Sequence, residues 1–484
     1  MYKPQPLRNH DEDVEHGHDS EEAQQRHAHA LQMCLLSAFL LIFLAGTAYH
    51  TKPLPLRSPL QQLQRRDNQK YNCNLTLVES IPIGLNFTPG SPHFPSTFDA
   101  WDQLLNLTKS TLDIGSYYWT LRGEDTGLNH STAHPGEQIF QRLLANGVGD
   151  GPKIKIRIAQ SSPSSVSPDL ETQILASYGA AEVVTLDFPK YLGAGILHTK
   201  LWIVDNEHFY LGSANMDWRA LTQVKELGVL GRNCPQLTSD LAKIFKAYWY
   251  LGTNENARIP SSWPYDYGTN YNLEQPMLLN VLKDANTNYT MQAFAASSPP
   301  PLSATGRTHD LTAILNSINS ALQFVHISVM DYFPLIIFGP KLQYWAEIDN
   351  ALRTAAVERG VSVKLLISWW KHSDASMDNY LRSLQDLSMT SRQHVDIQIR
   401  RFIVPADEDQ QKIPFGRVNH NKYMVTDRVA YIGTSNWSGD YFTTTAGIGL
   451  VFKDTQPSAP ASLRNDLVSI FNRDWNSAFA KELS

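Results

Sequence analysis

HTKLWIVD at residues 198–205 and HNKYMVTD at residues 420–427 decide how this 484-residue chain is read. Each stretch opens His-x-Lys, passes through four further residues and ends in aspartate. Gly212-Ser213-Ala214-Asn215 follows the first stretch and Gly433-Thr434-Ser435-Asn436 the second, with the gap from aspartate to glycine one residue shorter in the second. In a β-strand, residues i and i+2 share a face. His198 and Lys200 therefore point one way, and so do His420 and Lys422. If two halves pack about a pseudo-twofold axis, two imidazoles and two ammonium groups converge on one site.

Working outward, the folded part reads as duplicated from near Tyr71. A helix-like stretch leads into an apolar strand at Leu112–Thr120, and the same order recurs at Leu311–Tyr332. An amphipathic helix meets a strand at Lys153–Ala159 and again within Trp345–Trp370. Further strands are expected at Glu182–Leu186 and Val395–Val404. An aromatic-bearing helix closes each half, LAKIFKAYWYLG in the first and LRNDLVSIFNRDWNS in the second. Helices alternating with apolar strands predict an α/β fold in each half, at 71–285 and 286–484. The Pro/Ser-rich run Ser297–Leu302 reads as part of the connection.

The sequence ahead of the folded part differs in character. Ala30–Tyr49 carries no formal charge over twenty residues, enough for a helix of about 30 Å, the thickness of a bilayer core. A cleaved signal peptide would be shorter, nearer the start and preceded by basic residues. Here 29 mostly polar residues precede it, seven of them acidic, which favours an uncleaved anchor. Residues 1–29 read as an acidic tail, 30–49 as a transmembrane helix and 50–70 as a Pro- and Arg-rich stalk. Flanking lysines and arginines would place the N-terminus outside by the positive-inside rule. The N-x-S/T sequons, at Asn74, Asn86, Asn106, Asn129, Asn288 and Asn436, all follow the segment and argue the reverse. Pro89 makes Asn86 a poor acceptor. Of the three cysteines, Cys34 lies in the apolar segment, leaving Cys73 and Cys234 as either a pair or two unrelated buried thiols.

Composition narrows the function. With 42% hydrophobic residues and 18% charged, the chain is globular. A net charge of −6 excludes a global basic coat, so any nucleic-acid site is a local groove. Two histidines and two lysines suit an anionic phosphodiester. One imidazole attacks phosphorus and the other protonates the leaving oxygen, then activates water. The lysines stabilise charge on the equatorial oxygens. Ser213, Asn215, Ser435 and Asn436 are candidate donors to the phosphate. The scheme calls for no cofactor and no metal, and the sequence holds no carboxylate cluster suited to one. Asp205 and Asp427 fall where strands turn, so each is either part of the catalytic set or an acceptor for its own turn. Glu226 is a better partner for an imidazole, and Gly447 stands at the corresponding place in the second half. A carboxylate beside one histidine raises its basicity and fixes its tautomer. That asymmetry favours His198 as nucleophile and His420 as general acid.

The paired motifs resemble those of the phospholipase D superfamily. LGSANMDWRALTQVKELGV (211–229), RVNHNKYMVTDRVAYIGTSNWSGDYF (417–442) and the VES-IP-GL opening near residue 78 are similar to its endolysosomal 5′-to-3′ exonuclease branch, over nearly the whole chain from about residue 71. The resemblance implies a type II membrane protein of the endoplasmic reticulum, Golgi and endolysosomes, with a cytosolic N-terminus and a glycosylated lumenal part. It implies single-stranded DNA and RNA as substrates, a restraint on nucleic-acid sensing, a homodimer, and a phospholipid substrate such as bis(monoacylglycero)phosphate as the alternative. His198, Lys200 and Asp205 match the family's first motif, and His420, Lys422 and Asp427 its second, with His198 matching the nucleophile. The resemblance also implies a Cys73–Cys234 disulfide; the second pair carried by such relatives is absent. Glycosylation candidates are Asn74, Asn106, Asn129 and Asn288. Among nine aromatic residues near strand ends and motifs, Tyr441 and Phe442 are singled out as base or sugar contacts.

Overall fold

The first motif's apolar run becomes a buried strand because both its faces are covered. A computed structural model describes residues 72–483 apart from 150–152, 165–166, 255, 284–286, 391–393 and 457–461. In the first part of the chain the main strands are β1 (Asn72–Ser80), β2 (Thr111–Ser116), β3 (Lys155–Ser161), β4 (Glu182–Leu186), β5 (Leu201–Val204), β6 (His208–Gly212) and β7 (Glu226–Arg232). They pair in the order β4–β3–β2–β5–β6–β7–β1, parallel from β4 to β2 and antiparallel thereafter. After β8 (Met277–Leu282) come β9 (Asn288–Ser298), β10 (Phe324–Val329), β11 (Ser362–Ser368), β12 (Ile397–Phe402), β13 (Lys422–Thr426), β14 (Val429–Gly433) and β15 (Gly447–Asp454). These pair β12–β11–β10–β13–β14–β15–β9, with the same change from parallel to antiparallel. Through its ladders to β1 and β9, β8 joins the two sets into one continuous sheet.

Helices cover the sheet. α1 (Thr97–Leu107) is started by a capping box in which Ser96 and Asp99 exchange hydrogen bonds. α2 (His134–Val148) buries Ile139, Phe140 and Leu143. α3 (Pro235–Thr253) and α6 (Leu463–Trp475) are the expected aromatic helices. α4 (Asp310–Ser320) and α5 (Glu347–Arg359) flank the second set. The largest core brings Leu201, Phe209 and Phe245 together with Val425, Leu450 and Phe471, so apolar side chains of both motif strands share it.

α6 also reaches back to the opening strand. Arg473 donates to both Glu79 oxygens, at 2.6 and 2.7 Å, while Lys225 and Asp474 pair at 2.7 Å with neither side chain exposed. Buried ions persist only when paired.

The α/β class is as expected, and Glu182–Leu186 is a strand over the expected residues. The strand expected at Leu112–Thr120 ends at Ser116, and Trp119–Thr120 forms a separate short strand. The expectation for Ser297–Leu302 needs correction. Ser297 and Ser298 end β9, which the Ala- and Ser-rich text MQAFAASS conceals because it lacks β-branched residues. The acidic tail, the expected transmembrane segment and the stalk lie outside the described residues. Among the described residues no helix is long and apolar enough to cross a membrane.

Candidate active site

Each motif histidine is held by the other strand set. His198 N–H donates to Ala446 O at 2.9 Å, just ahead of β15. His420 N–H donates to Lys225 O at 2.8 Å, just ahead of β7. Isolated bridges Leu197–Ala446 and Lys225–Asn419 lie beside these bonds. Both histidines are therefore fixed just ahead of buried strands, His198 three residues before β5 and His420 two before β13, next to the segments carrying Gly447 and Glu226.

The side chains follow. His198 Nδ1 lies 2.8 Å from Thr434 O. A carbonyl only accepts, so Nδ1 carries the proton and Nε2 the lone pair. His420 Nδ1 lies 2.9 Å from both Glu226 oxygens, which fixes the same tautomer and stabilises an imidazolium. Glu226, which the sequence offered as the partner of one imidazole, meets the histidine of the second motif. The expected asymmetry is present as a carboxylate on His420 Nδ1 and a carbonyl on His198 Nδ1.

Lys200 Nζ donates to His198 O at 2.9 Å and Lys422 Nζ to His420 O at 2.8 Å. All four groups are buried. Burial is the first cause of each shift. It drives His198 well below the usual imidazole range, helped by Lys200, Lys422 and His420. It lowers His420 too, against the opposing pull of Glu226. Lys200 falls well below the usual lysine range, and Lys422 falls to about 8. A phosphodiester anion placed among these groups reverses such shifts, because an opposite charge favours the protonated forms.

The rest of the expected set divides. Asn215 Nδ2 donates to Tyr118 Oη at 3.3 Å, and Asn436 Nδ2 donates to Asp331 at 2.9 Å and Tyr441 Oη at 3.2 Å. Ser213 Oγ is committed to the backbone of Leu227, so the hydroxyl expected to meet phosphate ties a turn instead. Ser435 Oγ is buried without a protein hydrogen bond among the described residues. Tyr441 packs edge-on against His198, ring centres 5.1 Å apart, whereas Phe442 stacks on Trp345 inside the core.

The motif aspartates stand apart from this site. Asp205, at φ 51°, accepts from the backbone of Lys109, Ser110 and Thr111 and locks the start of β2. Asp427 accepts from Leu322, Gln323 and Phe324 ahead of β10. Both were expected either in the catalytic set or as acceptors for their own turns; instead each accepts backbone N–H groups of a distant segment that leads into a neighbouring strand, as aspartate does where backbone donors are orphaned.

Two participants, Asp331 and Thr434, escaped the sequence reading, and a third, Tyr117, stood among the nine aromatic residues without being singled out. Tyr117 packs on His198 at 5.3 Å, with Lys200 Nζ 5.6 Å from its ring centre. Asp331 is pushed up to about 6 by burial, with Lys422 opposing. Thr434 acts through its carbonyl, which no side-chain pattern reveals. Tyr117 follows an apolar strand directly, the signal that placed it among the nine aromatic residues.

Cys73 and Cys234 are joined in a disulfide, as the resemblance implies. Asn106, Asn129 and Asn288 are exposed. Asn74 is a poor candidate after all: its Nδ2 donates to Leu282 O and its Oδ1 accepts from Arg232.

Comparison with known proteins gives the family. Residues 90–407 match the model of the PLD3/4, PLD-like domain family, a span that includes the first motif and stops short of the second. The chain is 49% identical to "5′-3′ exonuclease PLD3" of Xenopus laevis over 93% of its length and 88% of the relative's. It is 49% identical to the Homo sapiens protein of that name, covering 85% and 81%, and 43% identical to "5′-3′ exonuclease PLD4" of Mus musculus, covering 86% and 81%. Phosphatidylserine synthase of Haemophilus influenzae shares the fold, with a TM-score of 0.52 at 12% identity over 87% of this chain and 91% of that one. A buried pair of histidines, each held across two like strand sets, thus comes with sequence similarity over most of the chain, and the protein belongs to the PLD3/4-like family of phospholipase D-like proteins.

Proposed function

We propose that this chain is a 5′-to-3′ exonuclease on single-stranded DNA and RNA, working through a phosphohistidine on His198. One observation carries the reading: both imidazoles have Nδ1 fixed by an acceptor, one a neutral carbonyl and one a carboxylate. A neutral acceptor suits a nucleophile that must present a lone pair, and a carboxylate suits a group that must carry charge. His198 Nε2 attacks phosphorus, forming the N–P bond as the P–O bond breaks. His420 Nε2–H passes its proton to the leaving oxygen. Water, deprotonated by His420, then attacks phosphorus and releases His198. Lys200 and Lys422 stabilise the equatorial oxygens. The names of the relatives support the exonuclease assignment.

In this reading residues 71–285 and 286–484 are phospholipase D-like halves about a pseudo-twofold axis. The remainder follows the resemblance. Residues 1–29 are cytosolic, 30–49 form a signal anchor and 50–70 a stalk. The lumenal part is a homodimer of the endolysosomal pathway that limits nucleic-acid sensing. The His420 acid form fills as pH falls, so an acidic lumen suits the reaction.

The test uses single-stranded DNA labelled at its 3′ end, with the 5′ end free or blocked, digested across a pH series. Stepwise shortening of the free-ended strand at acidic pH, lost in His198→Ala, is the expected result. Absence of nucleolysis at every pH overturns the reading and makes lipid phosphodiesters the substrates to try.

A further inference from the structure

Beyond the chemical groups, an aromatic ladder stands on the same rim of the sheet as the histidines. Trp370 lies two residues past the end of β11 and Phe415 five residues ahead of His420. His372 stacks on Phe415 with ring centres 4.8 Å apart and 22° between planes, and meets Trp370 at 4.8 Å and 70°. Two ties hold the ladder to the site. Asn419 N–H, next to His420, donates to Ser368 Oγ at 3.2 Å, where β11 ends. Pro414 O accepts from Arg219, whose partner Asp217 also holds Tyr118 beside Asn215.

Phe415 is unusual in two respects. Its backbone sits at φ 55°, a conformation that disfavours an aromatic residue, and the residue is 53% exposed. Neither a turn preference nor core packing explains a phenylalanine there. Strain kept without a packing return points to function. Exposed stacked rings are what single-stranded nucleic acids use, since every base presents a π-face. Lys371, exposed between the two ladder positions in sequence, supplies positive charge for the backbone phosphate.

Polarity follows from the chemistry. In-line displacement puts the leaving oxygen opposite the attacking nitrogen. The ladder adjoins His420, the proton donor to that oxygen, while Tyr117 and Tyr441 adjoin His198. Resting on the exonuclease reading, we infer that Trp370, His372 and Phe415 form a stacking subsite for bases of the departing strand, beyond the scissile phosphate.

The experiment compares kcat/KM on a single-stranded hexanucleotide with kcat/KM on a nitrophenyl nucleoside phosphodiester, which has no departing bases. Phe415→Asn is the informative variant, because asparagine tolerates the left-handed backbone and the fold is not taxed. The expected result is a fall of about tenfold in the hexanucleotide-to-nitrophenyl ratio, in line with the loss of one base–aromatic stack. Phe415→Tyr should keep the ratio, and Tyr265→Ala, an exposed aromatic elsewhere, should leave it at the parent value. In a His198→Ala background, 2-aminopurine walked along the strand should be quenched at a departing-side position and released by Phe415→Asn. An unchanged ratio in Phe415→Asn, or quenching confined to the 5′-terminal base, overturns the subsite. A parent protein that cleaves no oligonucleotide at all overturns the exonuclease reading instead.

Discussion

At the residue scale, the two histidines of this site are chemically unequal although their motifs read alike. Glu226 raises the His420 pKa, while burial lowers it. Glu226→Gln removes the opposing charge, so the His420 pKa falls further. The acidic optimum should then move to lower pH, and kcat should drop about 10²-fold, the lower range for a general acid. A pH–rate profile checks this, and an unmoved optimum would detach Glu226 from His420 in turnover. Asp205→Asn should behave differently. The asparagine keeps the positive-φ turn but loses the acceptor for Lys109 N–H, costing about 1–3 kcal/mol of stability with kcat/KM within a few-fold of the parent. Its hydrogen bonds hold the Asp205 pKa below the usual carboxylate range. Its contribution is therefore present above the unfolded value of about 3.9 and is lost as pH falls through the depressed one. Melting curves at pH 7 and pH 3 check both, the parent-to-variant gap narrowing at the lower pH.

At the scale of elements, the motif strands were legible because H-x-K with four following residues and a turn is a strand-face pattern, and because it occurs twice. The pairing of Glu226 with His420 was not legible. It is set by a crossing of segments 194 residues apart, a relation that no local spacing encodes. β9 was lost for a related reason, since a strand packed on both sides tolerates alanine and serine where propensity asks for branched residues. Gly447 shows the same crossing in reverse. A Cβ there would meet Ser435 Oγ at 2.2 Å, so the place held by Glu226 in the first set is filled from the opposite strand in the second. α6 carries the buried pair Lys225–Asp474. Asp474→Asn strands a lysine without its charge partner and should cost about 3–5 kcal/mol, whereas Lys225→Met with Asp474→Leu should cost less. Urea unfolding of the three proteins decides it, and equal losses would contradict the account.

At the scale of the whole molecule, the chain joins its opening strand to the start of α3 through Cys73–Cys234, 161 residues apart in sequence. Closing so long a loop restricts the unfolded chain, and Cys73→Ser with Cys234→Ser should lose about 2–5 kcal/mol, read as a lower Tm that reducing agent no longer shifts. The composition excluded a basic coat, and the site accords with that: its titratable nitrogen groups, two imidazoles and two amines, are buried rather than spread as a surface field. The central claim is a covalent bond between His198 and the substrate's phosphorus, and rapid acid-free quenching followed by peptide mass spectrometry of the His420→Ala protein tests it most directly. That variant can form the intermediate on a substrate with a good leaving group but lacks the base that hydrolyses it. The account predicts a nucleotidyl adduct accumulating on the peptide containing His198 and absent from His198→Ala. An adduct on the His420 peptide of the parent protein, or turnover with no adduct on either histidine, would contradict it.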